Sequence, residues 1–165
     1  MDRRHYALLA VLALVALSGC TAITGPEEVD SSQLNQNASY DWDSEANVTI
    51  LVNRSSYQVV HDVRNNATLT VFSRDDLGRE QSVPITALRY RYPNGTVVSP
   101  ANSSLAANRT GQQTNIRLPG NGTGRVAYSA PRSGKSFATP TFVNGQTYAV
   151  ALPPGARVGI PLLSN

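Results

Sequence analysis

Downstream of Tyr40 the apolar residues recur at every second position, the period that places them on one face of an extended chain. Val48, Ile50 and Val52 alternate with Thr49 and Leu51. Tyr57, Val59, His61 and Val63 share a face, while Gln58, Asp62 and Arg64 lie opposite with Val60 among them. Leu69 and Val71 resume the alternation after an Asn65-Asn66 turn, and Asp75-Asp76-Leu77-Gly78 breaks it as a loop. Ser82–Tyr92 reads as the longest strand, with Leu88, Tyr90 and Tyr92 inward and Arg89 and Arg91 outward. Pro93-Asn94-Gly95-Thr96 then closes a hairpin, because Asn-Gly suits a tight turn with positive φ at both central positions. Thr96-Val97-Val98 starts the return strand, and Pro100 to Gly111 reads as a polar loop. Further strands are expected at Thr114–Leu118, Arg125–Ser129 and Thr147–Leu152, with turns at Pro119-Gly120-Asn121-Gly122 and Asn144-Gly145.

Short strands at this spacing, punctuated by Gly, Pro and Asn, predict an all-β domain over residues 40–165. The expected form is a small sandwich or open barrel of about seven to nine short, mostly antiparallel strands.

The chain before this domain is different in kind. Asp2-Arg3-Arg4-His5 is a short basic stretch, and Tyr6 to Leu17 follows as an apolar run with no charge. As a helix that run would reach only ~18 Å against a hydrocarbon core of roughly 30 Å. It therefore reads as the apolar region of a signal peptide covering residues 1–19. Leu17-Ser18-Gly19-Cys20 comes next and resembles the lipobox of exported lipoproteins, in which the cysteine thiol takes the lipid. Two acyl chains on Cys20 are expected, since one holds a protein only marginally on a membrane. Arg3-Arg4 with His5 and Tyr6 resembles a twin-arginine export signal; an ordinary basic stretch is the alternative. Residues 20–39, rich in Ser, Gln, Asn, Gly and Asp, read as a lipidated flexible tether, with room for a helical turn around Glu27–Leu34.

Composition narrows the possibilities. Cys20 is the one cysteine, so the domain holds no internal disulfide and no cysteine-based metal site. The net charge of +3 is small and scattered, which argues against nucleic acid as a partner. Asn-x-Ser/Thr occurs at Asn37, Asn47, Asn53, Asn66, Asn94, Asn102, Asn108 and Asn121. Composition alone predicts roughly two such triplets, so the excess points to N-glycosylation of an extracytoplasmic surface. Asn94, Asn102, Asn108 and Asn121, in expected turns and loops, are the most accessible candidates.

Catalytic chemistry is harder to find. Gly134-Lys135-Ser136 resembles the end of a P-loop, but the glycine required five positions earlier is Ser129, and Pro140 blocks the helix that should follow. Asp41, Asp43 and Glu45 alternate like calcium ligands, yet the sixth loop position is Ala46 and the twelfth is Val52. They read as a solvated edge. His61 is the sole histidine after the leader, and no Gly-x-Ser-x-Gly turn accompanies it. No catalytic, cofactor-binding or metal-ligating residue is assigned, and no cofactor is expected.

Five segments taken in order carry a family resemblance: the lipobox, Tyr40-Asp41-Trp42-Asp43, Arg89-Tyr90-Arg91-Tyr92-Pro93-Asn94-Gly95-Thr96, Pro140-Thr141-Phe142-Val143 and Leu152-Pro153-Pro154-Gly155. Together they resemble the front part of a family of haloarchaeal surface lipoproteins of unknown function. The resemblance implies a further β segment, a membrane-spanning helix and a charged tail beyond such a front part. Here the sequence reaches Asn165 after Ile160-Pro161-Leu162-Leu163, so a shorter lipid-held form and a truncated product both stay open. The expectation is a lipid-anchored protein on the extracytoplasmic face of the cell membrane, acting as a non-enzymatic binding or structural module. Its expected partners are the membrane, through Cys20, and a surface protein or glycan. An accessory subunit of a membrane or exported complex is the alternative, followed by a surface hydrolase built on His61.

Overall fold

The structure, a computed structural model, describes residues 25–75, 77–132, 137 and 145–157. The leader with Cys20, the Gly134-Lys135-Ser136 and Pro140–Val143 segments and the apolar stretch after Arg157 lie outside the described residues. Eleven strands are present among them: β1 (Glu27–Glu28), β2 (Val48–Val52), β3 (Ser56–Val63), β4 (Thr68–Arg74), β5 (Glu80–Ser82), β6 (Thr86–Arg91), β7 (Val97–Val98), β8 (Ala106–Arg109), β9 (Thr114–Arg117), β10 (Gly124–Pro131) and β11 (Tyr148–Ala151). One helical turn, α1 (Ser31–Leu34), and a 3-10 turn (Pro100–Asn102) complete the elements.

The strands form two open sheets, not a closed barrel. The first has the order β1-β8-β9-β4-β5 and the second β11-β2-β3-β10-β6-β7. The alternating residues of the two facing surfaces fill one core. Val48, Ile50, Val52, Tyr57, Val59, Leu88, Tyr90, Val126 and Tyr128 come from the second sheet, and Val71, Ala107 and Ile116 from the first. Burying each large side chain contributes roughly 1.5–3 kcal/mol, which is why the pleat alternation dictates the sandwich. Every strand pair is antiparallel except β11 on β2, where Tyr148 lies beside Val48 and Ala151 beside Leu51. Asn47 and Thr147 lock the start of that pair, the Asn47 Oδ1 accepting from both the Thr147 amide and its hydroxyl at 3.0 Å.

Four differences from the sequence reading have physical causes. The expected long strand Ser82–Tyr92 is two strands, because Pro84 cannot donate to a ladder. The chain crosses there from the first sheet to the second, burying Val83 and Ile85 on either side of the proline. The Asn94-Gly95 hairpin is a three-residue loop: the Gly95 amide donates to the Tyr92 carbonyl and the Tyr92 amide to Thr96, both at 2.9 Å. Gly95 (φ 87°) takes positive φ and Asn94 does not, as in a type I turn followed by a glycine bulge. The expected polar loop Pro100–Gly111 contains β8. Finally, residues 27–39 of the expected 20–39 tether pack on the domain, and with residues 40–45 they form an arm.

The arm is held mainly through its backbone. β1 pairs with β8, and the Val29 amide donates to the Ala107 carbonyl at 3.1 Å. Asp30 caps α1 by accepting from the Ser32 amide at 2.8 Å, and Leu34 is buried in the main core. The arm then runs over the outer face of the second sheet. Arg89 donates to the carbonyls of Leu34, Asn35 and Gln36, and Gln58 to that of Ser39. The Tyr40 hydroxyl donates to the Ala87 carbonyl at 2.6 Å and lies 3.0 Å from the Ser129 Oγ. Tyr40 thereby covers a second small cluster of Val60, Ala87 and Ala127. Ala87 holds φ 52° at a bulge in β6, where Ala87 and Leu88 stand against Tyr128 alone, and its carbonyl accepts from Tyr40.

Candidate functional site

Where the arm ends, a groove of about 610 Å³ opens on the outer face of the second sheet. Its floor comes from residues whose side chains point away from the core: Asp62 of β3 and Arg64 just after it, Arg91 of β6 and Arg125 of β10. Trp42, Asp43, Ser44 and Glu45 of the arm form one wall, and Tyr92, Pro93, Thr123 and Gly124 the other. Arg125 fixes the arm wall by donating to the carbonyls of Trp42 and Ser44, the latter at 2.8 Å. Arg91 pairs with Asp43 at 3.1 Å, and Arg64 with Asp62 at 3.0 Å.

The opposite wall is fixed by contact between two loops. Asn65 (φ 53°) donates its amide to the Thr123 hydroxyl, and the Asn66 amide reaches the Gly122 carbonyl. Gly122 (φ 64°) passes so close that a Cβ there would lie 1.6 Å from the Asn66 carbonyl oxygen, so only glycine fits.

Chemically the groove offers two half-buried aromatic rings, Trp42 and Tyr92, among three guanidinium groups and three carboxylates. Its exposed ion pairs are each worth ~0–1 kcal/mol, so polar groups of a ligand can replace them at little cost. Flat apolar rings with a few polar groups convergent on them are the usual make-up of a recognition site.

The residues singled out from sequence are not brought together here. His61 faces the core on the side of β3 opposite to Asp62, 6% exposed and stacked on Tyr128 with centroids 6.1 Å apart. Burial pushes its imidazole pKa down to about 4, so it is neutral at pH 7. Asp41, Asp43 and Glu45 do not converge: Asp41 accepts from the Asp43 amide, and Asp43 turns to Arg91. Among the described residues no group of three His, Cys, Asp or Glu side chains is placed to hold a metal ion.

The sequons distribute unevenly. Asn66, Asn94 and Asn121 are exposed on loops at the groove end of the sandwich, and Asn94 and Asn121 each tie their Oδ1 to the amide two residues on. Asn102 is exposed in the 3-10 turn, Asn37 in the arm and Asn53 in the β2–β3 turn. Asn47 and Asn108 are half-buried, and Asn108 lies within β8, not in the loop expected of it.

Sequence reasoning missed Trp42, Arg64, Arg91, Tyr92 and Arg125 as a set. The only available signal was that Trp42, the chain's one tryptophan, sits among acidic residues just before the first regular strand.

A family of unknown function, DUF5803, matches residues 44–165. The chain belongs to that family. The DUF5803 segment begins at Ser44, whose carbonyl Arg125 holds, and it contains both loops of the far wall. Most of the arm precedes it. No curated protein and no solved structure matches the chain.

Proposed function

We propose that this DUF5803 protein is a lipid-anchored module of the cell surface, of the haloarchaeal lipoprotein type, that binds a surface protein or glycan without transforming it. Cys20 carries the lipid, and the sequons carry glycans on the extracytoplasmic side. The observation that carries the binding role is the groove, whose two walls are held in place by Arg125 and by the Asn65–Thr123 contact. A groove ordered before its ligand arrives avoids the entropy cost of assembling it. The alternative, an accessory subunit of a membrane or exported complex, would use the same face. A hydrolase built on His61 is disfavoured by the burial of that ring.

Cross-linking of the tagged protein in intact native cells tests this. A partner captured by the wild type should be lost with Trp42→Ala and with Arg91→Glu and retained with His61→Leu. Retention by both groove variants would overturn the groove assignment. Mass spectrometry should find Cys20 as the lipid-bearing first residue, and Cys20→Ser should leave the membrane fraction.

A further inference from the structure

The sandwich has two ends. The groove and the loops with Asn66, Asn94 and Asn121 make one. The other is where the arm joins, built from Gly25 to Glu27, the β8–β9 turn and the β4–β5 loop. These parts are in contact: Gly25 and Glu27 line a recess with Ser82, Arg109, Thr110 and Gly111, and Gln113 donates to Glu80 at 3.1 Å.

From Cys20 to Gly25 a fully extended chain reaches at most ~18 Å. β3 alone, with eight residues, is about 26 Å long. A lipid on Cys20 therefore holds the arm end closer to the bilayer than the sandwich is long. The groove end cannot be turned directly beneath the arm end without straining or unpairing β1.

The arm end carries the most exposed large apolar residue among the described residues, Leu77, at 77%. Its loop is built around Asp75. That carboxylate accepts from the amides of Leu77 and Arg79 at 3.0 and 2.9 Å, from the Arg79 Nε at 2.8 Å and from the Gln81 side chain at 3.2 Å. Gly78 (φ 76°) completes the turn by donating to the Asp75 carbonyl. Three ion pairs surround it, Arg74 with Glu80, Arg79 with Asp75 and Arg109 with Glu27, and the sequence adds two further carboxylates, Glu28 and Asp76. This end thus offers a lipid surface an apolar tip whose neighbouring guanidinium groups are each paired with a carboxylate. Asn53 lies at the same end but on the second sheet, away from the arm.

We infer that the arm end rests on the membrane with Leu77 dipping into the headgroup region, so that the groove faces outward. The inference rests on the lipid reading of Cys20. In the lipidated protein the Cys20 thiol is consumed, so an introduced cysteine is a unique labelling site. Full-length lipidated protein labelled with an environment-sensitive fluorophore at Gln112→Cys or at Ala67→Cys is bound to phosphatidylcholine vesicles with and without brominated acyl chains. The probe at position 112 should be quenched several-fold more than the probe at 67, and adding Leu77→Asp should reduce that quenching while the protein still floats with the vesicles. Floating protein with equal quenching at both positions, or more at 67, overturns the orientation alone. Quenching at 112 that Leu77→Asp leaves unchanged overturns the Leu77 contact. Protein that does not float, with an unmodified Cys20, overturns the anchor itself.

Discussion

Lowering the pH should destabilise this domain chiefly through His61. The imidazole sits in the core-facing row of the second sheet, beside Val48 of β2 and Val126 of β10 and stacked on Tyr128. Burial holds its pKa at about 4 in the folded protein against about 6.5 in an unfolded chain. Protons therefore bind the unfolded state more tightly, and stability that is full above about pH 6.5 is lost as the pH falls toward 4. The gap corresponds to about 3 kcal/mol, of which about 2.5 kcal/mol is already lost at pH 4.5. Such a loss is a large share of the stability of a domain this size. Urea titrations at pH 7.5 and 4.5, followed by Trp42 fluorescence and circular dichroism, measure it. His61→Leu should remove most of the difference between the two pH values, whatever its effect at pH 7.5. Carboxylates such as Asp75, held low by its bonds to Arg79, titrate alike in both proteins and cancel. Parallel pH profiles for the wild type and His61→Leu would refute the reasoning.

Three further outcomes are expected. Gly122→Ala should cost about 3 kcal/mol or abolish folding, since its Cβ meets backbone and its φ is positive; thermal melts decide it, and a neutral variant would contradict the packing of the two loops. Arg89→Ala should cost about 2 kcal/mol by removing three carbonyl contacts, and should raise amide hydrogen exchange in residues 29–40 before any other region. Tyr128→Phe should be neutral or stabilising by up to about 1 kcal/mol, because the buried hydroxyl has no hydrogen-bond partner among the described residues; a loss above 1 kcal/mol in urea titration would show that it has one.

The strands that the alternation revealed are those with one buried face. Val48-Ile50-Val52, Tyr57-Val59-Val63 and Leu88-Tyr90 all point their apolar residues into the core. β8 escaped notice because its core contact is made by Ala107, too small to mark a pattern between Asn102 and Arg109. The arm escaped for another reason. Arg89, Arg125 and Gln58 grip its carbonyl groups, which every residue possesses, so no side-chain periodicity records the contact. Arg89 and Arg91 do point away from the core, as read; what the alternation could not supply was that a distant segment would lie across them. The groove draws on positions 42–45, 62, 64, 91–93 and 123–125, whose proximity is a product of strand order and has no local spacing to reveal it.

The parallel pairing of β11 with β2 has a consequence for the order of events in synthesis. Asn47 meets Thr147 across 100 positions of chain. A polypeptide emerging amino-end first, from a ribosome or through a membrane pore, must hold β2 without its outer neighbour until nearly all of the domain has followed. Closing so wide a loop is slow, and until then the free amide and carbonyl groups of β2, with Leu51 among them, form a template for pairing with another copy. β11, the last of the described strands to arrive, is thus the one that ends this vulnerability, and the interval before its arrival is when a chaperone or rapid export would most affect the yield of folded protein.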